Sequence, residues 1–296
     1  MKHLLAITLS CLSCFTHAST APDNSAINET NLLPVPADMA MGISTQHINF
    51  SSINNRSVET ALDRTLITMP FGKFNAFNSL FIPGLSIERM GFRFNDGGTD
   101  ASDTELYTLK APLLFIDKQD DHWTRIVSVT PSVHSDLEAT DRETFSLMGL
   151  MLWRYNAGGP HSWTFGAGAN RLFGEYQPVP MFAYAYSTQA DTHYVVGFPA
   201  SKAEHRFNQQ WSLFSKFAPE GGNWRYRSQQ DNNVNLSYKS WVATVGIRRH
   251  IKGKFWASFE MGQSFARKLE LNDDSSEEEL DVSNGNLVLF SVGLHP

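Results

Sequence analysis

From Met39 onward the sequence alternates apolar and polar residues at period two, segment after segment, with no sustained helical period. Only a strand sends successive side chains to opposite faces, so this pattern commits the chain to β-structure with one apolar face per strand. The clearest apolar faces are Tyr107, Leu109, Ala111, Leu113, Phe115; Phe145, Leu147, Gly149, Met151, Trp153, Tyr155; and Trp163, Phe165, Ala167, Ala169. Three more follow: Trp241, Ala243, Val245, Ile247; Phe255, Ala257, Phe259, Met261; and Val288, Phe290, Val292, Leu294. Each segment spans about 9–11 residues, the length a tilted strand needs to cross a bilayer's hydrocarbon.

Weaker alternation runs over 39–50, 58–69, 84–95, 123–134, 179–187, 191–198, 203–217 and 223–228. The count is then fourteen strands, or twelve if two short segments are dropped, and both satisfy the even number of single-chain bacterial barrels. Connections alternate in length as such barrels require. Asn156–Ser162, Ser187–Asp191, Ala218–Asn223 and His250–Lys254 read as compact turns, and Asn95–Glu105, Ser135–Glu143, Ser228–Asn235 and Asn272–Gly285 as longer polar loops. Pro70–Gly84 is long where a short turn belongs. The expected fold is one closed antiparallel up-and-down transmembrane β-barrel of twelve to fourteen strands over residues 39–296, with a soluble secreted sandwich as the alternative.

The chain opens with Met1-Lys2-His3, runs apolar from Leu4 to Phe15 and continues Thr16-His17-Ala18-Ser19. A basic start, an apolar stretch too short to span a bilayer and small residues at the junction make residues 1–18 a secretory signal peptide. Cleavage is expected after Ala18, with Ala21 as the alternative. Residues 19–38, polar and carrying Pro22, Pro34 and Pro36, read as a flexible periplasmic leader. Both cysteines, Cys11 and Cys14, fall in the signal, so the mature chain has neither disulfide nor thiolate chemistry. Lipidation of Cys14 is disfavoured, because Cys11-Leu12-Ser13 lacks the aliphatic residue expected three positions earlier.

Cleavage leaves about 278 residues of mildly acidic character, since the whole chain has 24 basic and 30 acidic residues and loses only Lys2. No basic surplus supports nucleic-acid binding. Mean hydropathy is −0.27, too polar for a helical membrane protein and compatible with a barrel, in which alternate residues face a polar lumen. Trp123, Trp153, Trp163, Trp211, Trp224, Trp241 and Trp256 mostly lie near strand ends, where interfacial girdles would place them.

Opposite the apolar faces stand Lys110, Arg225, Arg227, Arg248 and Glu260. In this register they face the lumen, either setting ion preference or pairing into a network that fills the barrel. A register slip of one residue would exchange the faces. The run Asn272 to Asp281 is acidic but lacks the spacing and glycine of a calcium loop, and reads as a solvated external loop. For nucleophilic chemistry the local pairs are His134 with Ser132 and His161 with Ser162, neither in a motif. His47, His122, His193, His205 and His250 show no metal-ligand spacing, and no cofactor motif occurs.

From about Gly174 the chain resembles a family of uncharacterised outer-membrane β-barrel proteins of Gram-negative bacteria, known only as a domain of unknown function. The resemblance rests on Val196-Gly197-Phe198-Pro199, Arg206-Phe207-Asn208, Trp211-Ser212-Leu213 and Pro219-Glu220-Gly221-Gly222-Asn223-Trp224-Arg225-Tyr226. It implies a fold and a location in the cell outer membrane, with outer-membrane lipids, lipopolysaccharide and the barrel-assembly machinery as partners, and brings no activity. Such barrels commonly end on an aromatic residue, whereas this chain ends Leu294-His295-Pro296. The function expected first is a pore for small solutes, with a plugged structural or scaffolding barrel, or a barrel hydrolase of envelope lipids, as the alternatives.

Overall fold

A face that is apolar along a whole strand needs a partner on each side to satisfy its backbone, and this chain supplies them by pairing consecutive segments. The computed structural model describes residues 41–76, 79–95, 103–139, 141–173, 175–187, 192–228, 233–272 and 277–294. The expectations for the signal, its cleavage site, the leader and the last two residues fall outside the described residues.

Seventeen strands follow in order: β1 (Met41–Ser52), β2 (Glu59–Pro70), β3 (Phe74–Ala76), β4 (Ser79–Asn95), β5 (Asp103–Lys110), β6 (Leu113–Lys118), β7 (Trp123–Ser135), β8 (Phe145–Asn156), β9 (His161–Phe173), β10 (Glu175–Ser187), β11 (Thr192–Phe198), β12 (Ser201–Arg206), β13 (Trp211–Arg227), β14 (Asn233–Lys252), β15 (Phe255–Asn272), β16 (Glu277–Val282) and β17 (Gly285–Leu294). Consecutive staves pair antiparallel around the ring, and β17 returns to β1 from Met41↔Leu294 to Ile48↔Leu287, closing it. β5 with β6, and β16 with β17, are single staves interrupted by short breaks, and β3 only extends the hairpin onto β4, so the ring has fourteen staves. The length of Pro70–Gly84 is accounted for by that extension, Phe74–Ala76 pairing with Ser79–Phe81.

Boundaries differ from the sequence reading in two places: Asn272–Gly285, expected as a loop, contains β16 paired with β15, and a turn on β13 is displaced. Ala218–Asn223 is no turn: β13 runs through it, paired with β14 from Trp211↔Arg249 to Arg227↔Asn233. The break falls instead at 207–210, where the Asn208 side-chain oxygen accepts from the amides of Gln210 and Trp211. Gly221 is needed inside the strand. Its φ is 152°, and a Cβ there would sit 2.0 Å from the carbonyl oxygen of Tyr238. Two opposite errors, one turn too many and one too few, left the strand count at fourteen.

Connections 119–122, 157–160, 207–210 and 253–254 lie at one end of the ring, the turn end; 53–58 and 136–144 lie at the other, the loop end. Toward the turn end the strands are apolar outside. On β14, Trp241, Ala243, Val245 and Ile247 face outward while Ser240, Thr244 and Gly246 are buried inside. Phe259, Met261, Val288, Phe290, Leu147 and Phe165 continue the exposed apolar belt. Its loop-end rim is aromatic, Trp241 stacking on Phe217 and lying near Phe198. Its turn-end rim gathers Trp123 with Tyr155 and Trp163 with Tyr184. From Trp241 to Arg249 the belt covers roughly 27 Å of strand at about 3.3 Å per residue, which at a tilt of about 40° rises about 21 Å, a little under the ~25 Å apolar band of a transmembrane barrel.

Toward the loop end the polarity inverts. Val234, Leu236 and Tyr238 of β14 turn inward, and Lys239 turns outward to pair with Glu270. Along β15 the switch occurs at a bulge: Lys239↔Lys268 and Trp241↔Phe265 leave one extra residue, and Ala266 takes φ 49°. Ser264 is buried on one side of the bulge, and Arg267 and Leu269 on the other. The ring also narrows here. β13 crosses to β7 through a parallel bridge, Arg225↔Ser135, which leaves β8 to β12 outside this smaller closure. β10 pairs with β11 only from Phe182 onward, so its preceding residues have β9 alone as neighbour. Pro178 and Pro180 are tolerated there because an edge strand needs no donors on its open side.

Candidate functional site: a lumen sealed at one end

At the level where the polarity inverts, charges meet across the lumen. Arg64 on β2 donates through Nε to Glu88 Oε1 at 2.6 Å and through Nη1 to Glu220 Oε1 at 2.7 Å. Gln46 on β1 donates to Glu220 Oε2 at 2.9 Å, and Lys110 on β5 reaches Glu88 Oε2 at 3.2 Å. Glu220 comes from β13, on the far side of the ring, so these five side chains form a strut from wall to wall. Every carboxylate in it is met by a cation or amide, the condition under which a buried ionic group is tolerable.

The loop end beyond this strut is filled. Ile48, Leu62, Met90, Phe92, Leu106, Trp224, Leu236, Tyr238, Leu269 and Leu287 make one apolar core, each at most 3% exposed. Trp224, expected in a girdle, is instead the largest of these side chains; its indole donates across to Thr108 Oγ1 at 2.8 Å. The loop between β7 and β8 closes the top. Asp141 accepts from Arg225 Nε at 2.8 Å and Asn233 Nδ2 at 3.1 Å, and Glu143 lies 3.2 Å from Arg225 Nη1. Burial alone would raise the Asp141 carboxyl, but Arg225, the Glu143 amide and Asn233 outweigh it and hold the carboxyl below its usual range. Asp136 behaves likewise: burial is overcome by the amides of Ala139, Arg227 and Glu138 and by the Ser135 hydroxyl.

The turn-end lumen is different. Arg248 Nη1 pairs with Glu204 at 3.1 Å, and Ser212 donates to the same carboxylate at 2.7 Å. Lys216 meets Glu260 at 3.0 Å, with Thr244 donating to the other oxygen of that carboxylate at 2.9 Å. A cavity of about 70 Å³ lies among His193, Lys202, Glu204, Phe214, Lys216 and Arg248. These side chains remain in contact with water: Lys216 is 39% exposed, and Glu204 and Arg248 are each 21% exposed.

The five charged residues singled out by alternation separate into two places. Lys110, Arg248 and Glu260 stand in the strut and the turn-end lumen. Arg225 and Arg227 sit on the register opposite Trp224 and turn to the β7–β8 loop, Arg227 through its amide to Asp136 at 2.7 Å. Ser132 Oγ lies 2.9 Å from His134 Nε2, with Ser146 Oγ also beside them, but Ser132 is 4% exposed and Nδ1 of the same ring faces Thr108 Oγ1 at 3.2 Å. His161 and Ser162 point to opposite faces, His161 reaching Tyr184. Among the described residues no group of three or more His, Cys, Asp or Glu is placed to hold a metal. In the acidic run, Glu278 pairs with Arg56 and Glu279 with Lys268.

Arg64, Glu88 and Glu220 escape a reading by pattern. Arg64 and Glu88 lie within weakly alternating segments, and Glu220 within a Pro-Glu-Gly-Gly stretch that imitates a turn. Their one signal is parity, each being charged at an inward position in the middle of its strand.

The model of a domain of unknown function, DUF6268, matches residues 85–295. No curated protein sequence matches the chain. Among solved structures the chain is similar to the NanC porin, at 9% identity and TM-score 0.42, covering 87% of this chain and 100% of that one. It is similar to the toluene transporter TodX of Pseudomonas putida at 9% identity and TM-score 0.40, covering 93% and 94%. A third is the transport unit of the Escherichia coli autotransporter AIDA-I, at 8% identity and TM-score 0.35, covering 94% and 100%.

Proposed function

Because the chain belongs to the DUF6268 family, whose description names no activity, we propose from its geometry an outer-membrane barrel that is closed at the loop end: a plugged structural barrel and not a standing pore. The observation that carries this reading is the wall-to-wall strut of Arg64, Glu88 and Glu220 beneath a packed core centred on Trp224. An apolar core of this kind offers water neither volume nor hydrogen-bond partners. Support for the outer membrane comes from the export signal, the apolar belt and its aromatic rims. In this placement the turn end faces the periplasm, lipids and lipopolysaccharide contact the belt, and the barrel-assembly machinery inserts the chain.

Small-solute passage is the second reading, favoured by one feature: the turn-end lumen is charged and wet. It becomes a pore only if the loop-end core opens. Lipid hydrolysis would need Ser132, which lies within the sealed half.

Single-channel recording of the refolded chain from Ser19 to Pro296 in a planar bilayer tests the first reading. The expected trace is silent, with discrete steps emerging in a Trp224→Ala, Phe92→Ala double variant. Stable steps from the unaltered barrel would show an open lumen and overturn it.

A further inference from the structure

We propose that the turn-end lumen is a binding cup for a small oxyanion, of which the phosphate dianion is the type, held by Arg248 and Lys216. The mature chain is acidic overall, yet the charge in this region is reversed. Arg206, Lys216 and Arg248 stand around Glu204 and Glu260, three cations to two carboxylates, with Lys202 also on the lining. Glu204 and Glu260 account for two of those charges, leaving a formal excess of one. An excess inside a low-dielectric wall that focuses the field draws an anion more strongly than the same charges on an open surface.

The cations are also held in position. The Arg248 guanidinium lies 4.9 Å from the centre of the Phe214 ring and 5.3 Å from that of Trp256, so two aromatic faces fix its plane. The Lys216 ammonium lies 5.2 Å from the same Phe214 ring, which brings both cations to one edge of the cavity. Arg248 spends only Nη1 on Glu204, which leaves Nη2 as the donor that faces the cavity, Nε being unpartnered but buried. A guanidinium with donors left over is suited to an oxyanion, which accepts from the planar fork of donors. Glu204 is then the occupant that a ligand competes with.

This inference rests on the turn end being open, as the proposed function has it, but not on the loop end being shut. The test is calorimetric titration of inorganic phosphate into the refolded mature chain in a zwitterionic detergent micelle, with folding checked by heat-dependent gel mobility. Saturable binding at millimolar phosphate is expected. Arg248→Gln is expected to weaken it about tenfold or more, the worth of one charge-assisted hydrogen bond. Glu204→Gln removes the competing carboxylate and is expected to tighten it severalfold. A purely structural pair would instead lose stability in Glu204→Gln and gain no affinity. Absence of saturable binding, or binding indifferent to both substitutions, overturns the cup. Its failure would leave the silent bilayer recording untouched, and conducting steps would leave phosphate binding untouched, so the two readings fail separately.

Discussion

Removing the guanidinium of Arg64 would leave Glu220, itself only 9% exposed, with Gln46 alone. Breaking one side of a buried ionic group costs about 3–5 kcal/mol, so Arg64→Ala should lower stability by that order, measured by guanidinium unfolding of the barrel in lipid vesicles. Adding Glu220→Gln should restore part of the loss, because the stranded charge is then gone; a further drop would contradict the strut. Trp224 separates packing from hydrogen bonding. Trp224→Phe forfeits chiefly the bond to Thr108, about 1 kcal/mol, whereas Trp224→Ala opens a cavity and should cost about 3–5 kcal/mol in the same assay. Equal losses would mean that the indole's volume does not hold the core. Period two tells which face a side chain takes and is silent on what stands across the lumen. For that reason the segments around Arg64 and Glu88 were visible as strands, and the contact between them and Glu220 was not.

Strands and connections divide the same way. Alternation over 241–247, 255–261 and 288–294 is strong because those faces meet lipid-like surroundings outside and polar side chains inside. Where the polarity inverts, on β14 before Trp241 and on β15 after Ala266, the apolar face changes sides and a single pattern no longer describes the strand. The Gly-Gly pair at 221–222 reads as a turn because turns are its commonest setting, but only pairing with β14 reveals a bent strand. Gly221→Ala should therefore destabilise the β13–β14 hairpin, since the new Cβ would meet the Tyr238 carbonyl; hydrogen exchange along β14 should rise beyond Tyr238. The β7–β8 loop makes a prediction in pH. Asp136 and Asp141 have depressed folded-state pKa values, so their contribution is complete above the unfolded value of about 3.9 and is lost as pH falls through the folded ones. Cleavage within 136–144 by a pepsin-type enzyme, taken relative to an unfolded control at each pH, should stay slow in weak acid and accelerate in strong acid, and Arg225→Gln should move the onset to higher pH. Cleavage that is equally fast at every pH would mean the loop is not held by these carboxylates.

For the whole molecule, a fourteen-stave ring closed by β1 against β17 leaves little free edge to unzip, the loop-end stretch of β10 being one, and separation in cold detergent should show a compact band that slows only after boiling. A single band under both conditions would favour a soluble sandwich. The polarity inversion has a consequence for how such a ring reaches its place. In the proposed orientation the loop-end half must be carried through hydrocarbon once, with Arg89, Glu105, Lys239, Glu270, Lys268 and Glu279 on its outward face. Those side chains stand in cross-strand couples, Arg89 with Glu105, Lys239 with Glu270 and Lys268 with Glu279. At rest such exposed couples contribute little. During passage they matter more, because a hairpin whose charges are already neutralised in pairs crosses as a string of dipoles and avoids most of the penalty of bare ions. What reads as surface decoration in the finished barrel would then be a provision for the journey.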